Sequence, residues 1–335
     1  MILIVSANED IHATSVMREL TRQGSSATLL DMRDIPTRAM LSLAYDHDGD
    51  RRALTLPDTA LDLDDINVVW WRRPQAYEPA PDISDPEAHN FVFHECEEAM
   101  QGLWLTLDAA WINPPDKDDR AARKAWQLDL ARRCGLCIPR TLITNDPEQA
   151  RAFIAREGTE RTIYKAFQGN IGAWRETRLL KPAELDQIDA VRHAPVIFQE
   201  YVEADIDIRV TVIGDQIFPA AIHSQKSRYK VDFRMDMENV AMEAIDLPDD
   251  VTDGIARLMA AMGLTYGAID LRRRPDGSHV FLEINPAGQW LFVEDATGQP
   301  ITAALAAHMI ARDREKKVGH GIHERPAPAP LKIAG

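Results

Sequence analysis

The sequence predicts an open α/β layer at the start of the chain and antiparallel strands later in it. Three stretches predict this. Ile2–Ser6 is a continuous apolar run, followed by a helical stretch at His12–Gln23 that Gly24 stops; Ala27–Asp31 and Asn67–Trp71 read as further strands, so the start of the chain has a βα pattern. Residues 205–212 alternate: Asp205, Asp207, Arg209 and Thr211 share one face, and Ile206, Ile208, Val210 and Val212 the other. That is the pattern of a half-buried antiparallel strand with its polar face toward water or ligand. Finally, Tyr266–Arg273 and His279–Asn285 read as two strands about the turn Pro275-Asp276-Gly277.

The last of these carries the chemistry. With Asp276-Gly277 at the centre of the hairpin, Asp270 faces Glu283 and Arg272 faces Phe281. Facing residues have Cβ atoms about 4.5–5.5 Å apart. Asn285 shares the face of Glu283, and Arg272 that of Asp270. Two carboxylates and an amide oxygen therefore converge beside a guanidinium. Facing carboxylates repel unless a cation lies between them. An all-oxygen set with few protein ligands and room for phosphate favours Mg²⁺ over Ca²⁺. The plain alternative is a surface hairpin whose acids are solvated.

At 335 residues the chain is long enough for two or three domains. A net charge of −15 argues against a general nucleic-acid binder, while leaving room for a local basic pocket. The three cysteines, the absence of a secretory signal and the lack of any run of membrane-spanning length make the cytoplasm the expected compartment.

In chain order, no G-x-G-x-x-G follows the first strand, so a dinucleotide fold is not supported. Asp46–Asp65 is acidic and irregular, a solvated connection or exposed hairpin. Trp70-Trp71-Arg72-Arg73-Pro74 ends a strand with two arginines, either exposed charge or a ligand-facing pair at the strand terminus. Asn90–Asp108 is a long helix with a charged face. The prolines of Trp111-Ile112-Asn113-Pro114-Pro115 close the first domain. A helix over Asp118–Arg133 carries Lys124. Cys134-Gly135-Leu136-Cys137 has no second pair to make a zinc site and reads as packing at a helix-to-strand corner. Thr162–Phe167 is a strand centred on Lys165, followed by Gln168-Gly169-Asn170-Ile171-Gly172, a loop whose backbone can approach phosphate. Val196–Val202 is a strand, and Ser224–Met237 a basic loop with Tyr229 and Phe233. Pro248–Met262 and Glu294–Arg312 are helical, and Gly319–Gly335 alternates Ala and Pro.

Lys124, Lys165 with its glycine loop, Gln199-Glu200-Tyr201-Val202, Asp207-Ile208-Arg209 and Asp270…Glu283-x-Asn285-Pro-x-Gly lie in the order of the ATP-grasp ligases, which the chain resembles over roughly 1–312. Trp-Arg-Arg-Pro, the WINPP segment, and His223-Ser224-Gln225 leading to Phe233-Arg234 resemble the microviridin-type (graspetide) peptide maturases most, with the ribosomal-protein glutamate ligases next; those maturases often carry Trp where this chain has Phe233. The resemblance implies an ATP-grasp fold: an N-terminal α/β domain at 1–115, then α+β domains at 116–198 and 199–312 that clamp ATP, and a disordered tail at 313–335. It further implies that Lys124, Lys165, Gly169 and Gly172 meet the phosphates, that the Glu200, Tyr201 and Val202 backbone holds adenine, and that Glu203 or Asp205 holds ribose. Arg209 and Arg272 would face the γ-phosphate and an acyl phosphate, and Asp270, Glu283 and Asn285 would hold Mg²⁺. Arg72, Arg73 and Arg234 would meet a ribosomal precursor peptide, whose leader docks near Ser224–Met237.

The implied reaction activates an Asp or Glu side chain of that peptide as an acyl phosphate, which a Thr/Ser hydroxyl or Lys amine of the same peptide attacks to close an ester or amide ring. Two other readings compete: an intermolecular ligase adding an amino acid to a small acid or protein tail, and a non-catalytic nucleotide-binding protein, against which the intact Asp270, Glu283 and Asn285 argue. Ester or amide, ring number, peptide identity and oligomeric state, a homodimer included, are not written in the residues.

Overall fold

The computed structural model describes residues 1–47, 49–167, 178–226 and 240–320. Gly169, Gly172, Arg234 and most of the tail therefore lie outside the described residues. Contacts divide the chain into two compact units, Met1–Asn113 together with the segment from Thr302 onward, and Pro114–Ile301.

In the first unit, strands β1 (Ile2–Ser6), β2 (Ala27–Leu30), β6 (Val68–Arg73) and β7 (Ala110–Ile112) form a parallel sheet in the order β2-β1-β6-β7. Every β1 residue is buried, as its uninterrupted apolar run requires. Helix α1 (Ile11–Arg22) starts where the Asp10 carboxylate accepts the His12 N–H at 2.9 Å, and it buries His12, Ala13, Val16 and Leu20. Helix α2 (Pro86–Thr106) is capped the same way by Asp85 and packs Met100, Leu103 and Trp104 into the core. Of the two readings of Asp46–Asp65, the exposed hairpin holds: it belongs to an antiparallel sheet of β3 (Met40–Asp46), β4 (Gly49–Thr55) and β5 (Ala60–Asp62), whose Leu54 and Leu61 reach the same core.

The closing helix departs from expectation. Gly298, in the left-handed region at φ 71°, and Pro300 split it into α7 (Leu291–Thr297) and α8 (Ile301–His320). Helix continues past the 312 boundary, because Asp313 is buried there and accepts hydrogen bonds from Asn67 and from the Met1 amino group, both at 2.8 Å.

The second unit holds two antiparallel sheets. Strands β8 (Thr141–Thr144), β9 (Thr162–Lys165), β10 (Arg178–Leu179) and β11 (Val196–Glu200) run in the order β10-β9-β11-β8, with Phe198 packing against helix α5 (Pro147–Glu157). Strands β12 (Ile206–Ile213), β13 (Gln216–Ile222), β14 (Met242–Ala244), β15 (Tyr266–Arg273) and β16 (His279–Asn285) run in the order β14-β13-β12-β15-β16. The apolar face of β12 packs with Ile255, Leu258 and Met259 of helix α6 (Asp249–Met262). Its polar face is buried as well, not half-solvated, because Asp207 and Arg209 pair with β15 side chains.

The helix expected over 118–133 is two, α3 (Pro115–Ala121) and α4 (Lys124–Arg133). At the break the Gln127 amide donates to the Ala121 carbonyl at 2.6 Å and to that of Ile284 at 2.9 Å, which ties α4 to β16. Of the Cys-x-x-Cys pair, Cys134 is packed in the core while Cys137 is exposed, its carbonyl accepting the Phe281 N–H at 2.8 Å.

Asp270 does pair with Glu283, but Leu271, not Arg272, pairs with Phe281, and Arg272 pairs with Val280. A bulge adjacent to Asp270 leaves Leu282 as the extra residue. The shift in parity turns Phe281 into the α6-facing core, where it is 1% exposed, and not onto the polar face. The turn is a three-residue loop closed by Gly277 N–H to Arg274 O at 2.9 Å, with Gly277 at φ 86°.

Candidate active site

Register sets the row Arg209–Asp270–Glu283 across three adjacent strands. Arg209 Nη1 donates to Asp270 Oδ1 at 2.7 Å. Lys124, the first residue of α4, donates from Nζ to Glu283 Oε2 at 2.8 Å, and Asn285 Nδ2 donates to Glu283 Oε1 at 3.1 Å. Burial alone would raise the Glu283 carboxyl; the charge and hydrogen bond of Lys124, the charge of Lys165 and the Asn285 amide outweigh it and hold the group well below the usual carboxylate range. Residues expected at phosphate and at metal are thus brought together by pairs far apart in the chain. Behind them, the Asn285–Gly288 turn is closed by the Gly288 N–H to Asn285 O bond at 3.1 Å and pinned by the Tyr266 hydroxyl to Gly288 O at 2.8 Å. A Cβ at Gly288 would stand 2.3 Å from that of Ala268.

These residues fit a magnesium ion. Asp270, Glu283 and the Asn285 amide oxygen are a hard-oxygen set on one face, and the two carboxylates already hold cationic partners, Arg209 and Lys124, against them. Among the described residues no group of three or more His, Cys, Asp and Glu side chains is placed to hold a metal, so phosphate oxygens and water would complete the shell.

The crossover from β11 to β12 is held on several sides. The Glu200 and Tyr201 N–H groups donate to the carbonyls of Arg140 at 2.9 Å and Arg161 at 2.7 Å. The Val202 carbonyl accepts Arg272 Nη1 at 2.9 Å. The Tyr201 carbonyl and the Glu203 N–H have no backbone partner among the described residues, leaving one acceptor and one donor. The Glu200 side chain is buried and ion-paired to Arg140 and Arg274, each at 2.7 Å. Asp205 pairs with Arg273 at 2.7 Å, and that hydrogen bond lowers its carboxyl from the ordinary value. Glu203 is exposed.

Arg272, expected at the transferred phosphate, donates from Nε to Asp207 Oδ1 at 2.6 Å and stacks 5.3 Å from the centre of the Tyr201 ring. The Ser224 hydroxyl donates to the other Asp207 oxygen. Sequence reasoning missed Arg140 and Arg274 and gave Ser224 no partner; the strict alternation of β12, which puts Asp207 beside Arg209, was the one signal pointing to this network.

In the first unit, Arg72 is 1% exposed and its Nε donates to Asp10 Oδ2 at 3.2 Å, so it braces the cap of α1. Arg73 is exposed. No described helix is long and apolar enough to cross a membrane.

Paired carboxylates beside lysine and arginine, with a donor and an acceptor left open on the crossover, are chemically suited to holding a metal–phosphate group. Residues 121–309 match the model of the RimK-like ATP-grasp domain and residues 1–119 that of the MvdD pre-ATP grasp domain. The chain belongs to the ATP-grasp ligase family, whose members use ATP and Mg²⁺. Among solved structures it is similar to the macrocyclase MdnC of Microcystis aeruginosa MRC bound with precursor peptide MdnA (27% identity, TM-score 0.82, covering 92% of this chain and 99% of that one). It is similar too to a RiPP-associated ATP-grasp ligase of Chryseobacterium gregarium in complex with ADP and a leader and core peptide (25%, TM-score 0.85, covering 93% and 96%). Curated relatives include a probable alpha-L-glutamate ligase of Klebsiella pneumoniae (strain 342), 29% identical over 193 residues, which are 56% of this chain and 63% of that protein. The chain thus spans less than two thirds of that relative's length.

Proposed function

We propose that this ligase is a graspetide-type maturase that closes ω-ester or ω-amide rings in a ribosomal precursor peptide. One observation carries the reading: the first domain, residues 1–119, matches the MvdD pre-ATP grasp model, while the sequence match to the glutamate ligase covers 56% of the chain.

A carboxylate is a poor electrophile. Transfer of the γ-phosphoryl group of ATP to an Asp or Glu oxygen of the peptide gives an acyl phosphate and ADP. A hydroxyl or amine of the same peptide then attacks the carbonyl carbon, the C–O bond to phosphate breaks, and the nucleophile's proton is lost. Asp270, Glu283 and Asn285 would hold Mg²⁺, which when bound neutralises phosphate charge. Lys124 and Lys165 bind phosphate oxygens in this reading, joined by the backbone of Gly169 and Gly172. Arg209 faces the γ-phosphate from its buried place beside Asp270. The Tyr201 carbonyl and the Glu203 N–H match the amino group and ring nitrogen of adenine, and Glu203 or Asp205 takes the ribose. Arg73 and Arg234 contact the peptide, with Arg72 bracing the strand end that carries Arg73. The leader docks near the loop that begins at Ser224, and the cytoplasm is the proposed compartment.

The test is co-expression with a precursor peptide encoded nearby, read by mass spectrometry. Loss of one water per ring, with ADP released, is the expected result. Gain of an amino-acid residue instead would favour the intermolecular ligase, the reading supported by the glutamate-ligase relatives. ATP binding with no ADP release on any peptide would leave a nucleotide-binding protein without catalysis.

A further inference from the structure

We propose that three consecutive arginines at the end of β15, Arg272, Arg273 and Arg274, clasp the β11–β12 crossover and set the position of the nucleotide base, acting as positioning residues and not as phosphate ligands. The inference rests on the reading that adenine lies against this crossover.

Each arginine takes a different point of the same short segment. Arg272 bridges the Val202 carbonyl at 2.9 Å and the Asp207 carboxylate at 2.6 Å. Arg273 forks onto Asp205 through Nε and Nη2, at 3.1 and 2.7 Å, while its own carbonyl accepts the Asp205 N–H at 3.0 Å. Arg274 donates to Glu200 Oε1 at 2.7 Å. The other Glu200 oxygen is ion-paired to Arg140, which also forks onto Glu157 at the end of α5. The crossover is therefore tied to both sheets of its unit.

The consequence for the base follows from peptide geometry. The Val202–Glu203 peptide is not among the cis bonds, so its N–H points opposite to its C=O. Arg272, by holding the Val202 carbonyl, aims the Glu203 N–H away from itself, and that N–H has no backbone acceptor among the described residues. A guanidinium can span a carbonyl and a carboxylate in one fixed fork; an ammonium cannot. Arg272 is also 5% exposed and stacked on Tyr201, which suits a strut better than a group that must follow a transferring phosphate.

A strut and a phosphate ligand are separated by comparing nucleotides of different phosphate number. ATP, ADP and AMP are titrated by calorimetry into the full-length wild type, Arg272→Lys and Arg274→Gln. Loss of a γ-phosphate ligand weakens ATP and spares ADP and AMP, and loss of a β-phosphate ligand weakens ATP and ADP and spares AMP. Loss of the clasp weakens all three by one common factor, expected to be about tenfold for Arg272→Lys and smaller for the half-exposed Arg274→Gln. Arg274→Lys, which keeps one charged donor for Glu200, should recover part of the affinity. Should Arg272→Lys fail to fold, the Arg274 pair still decides. A loss confined to ATP, or to ATP and ADP, or unchanged affinity in both variants, overturns the clasp. A wild type that binds none of the three nucleotides overturns the adenine reading itself, and the clasp with it.

Discussion

His12 is a titratable group held neutral by its place in the fold. It is 3% exposed in the first turn of α1, and burial first, then the nearby Arg72 charge, push its pKa down to about 4. The folded pKa is depressed, so the folded chain binds fewer protons than the unfolded one between the ordinary value of 6.5 and about 4. The stability this represents is fully present above pH 6.5 and drains away as pH falls through that window, by up to about 3 kcal/mol. Urea unfolding at pH 7 and pH 4.5 should show a larger loss in wild type than in His12→Asn; equal losses would mean His12 is not the group responsible. Nothing in the sequence marks this residue, because burial and the approach of Arg72 are products of the fold. The carboxylate pair is the opposite case: one turn signal and the two-residue period of strands place Asp270 against Glu283. The partners of Arg272 could not be read, since they sit on a crossover whose path no local pattern specifies.

At the scale of elements, the β15–β16 hairpin and the turn after it act as one piece. Gly288 packs so closely on Ala268 that a methyl group there would lie 2.3 Å from the Ala268 Cβ. Gly288→Ala should therefore push the Asn285 turn outward, costing about 1–3 kcal/mol of stability as overpacking does. ATP affinity measured in the presence of Mg²⁺ should fall as well, because Asn285 moves. Thermal unfolding and calorimetry check both, and a variant with unchanged melting and affinity would show the turn to be plastic. The alternation of β12 and the boundaries of β1, β15 and α6 were legible because burial on one or both faces leaves its trace in the residues. The Leu282 bulge was not, for a run of His-Val-Phe-Leu-Glu gives no sign of which residue is surplus. The α3–α4 break was equally silent, since the bond replacing the missing helical one comes from the Gln127 side chain.

For the whole molecule, ligand binding and stability are linked. Anything that binds only the folded chain stabilises it, by about 2.7 kcal/mol at a hundredfold excess over its Kd. Saturating ATP with Mg²⁺ should raise the melting temperature by several degrees, and Glu283→Gln, which melts lower without ligand because Lys124 loses its partner, should lose the magnesium-dependent part of the rise. A full rise in that variant would remove Glu283 from the metal site. The assignment of α8 to the first unit lay beyond reading, since it depends on Asn67 and Asp313 meeting across 246 residues. One surface detail offers an experimental handle. Cys137 is the exposed thiol, Cys134 is buried and the Cys96 thiol is pushed up by burial, so a maleimide dye should go first to Cys137. Because that residue's carbonyl accepts the Phe281 N–H of the strand that carries Glu283, the attached fluorophore would lie beside the edge of β16 and report on nucleotide loading in real time.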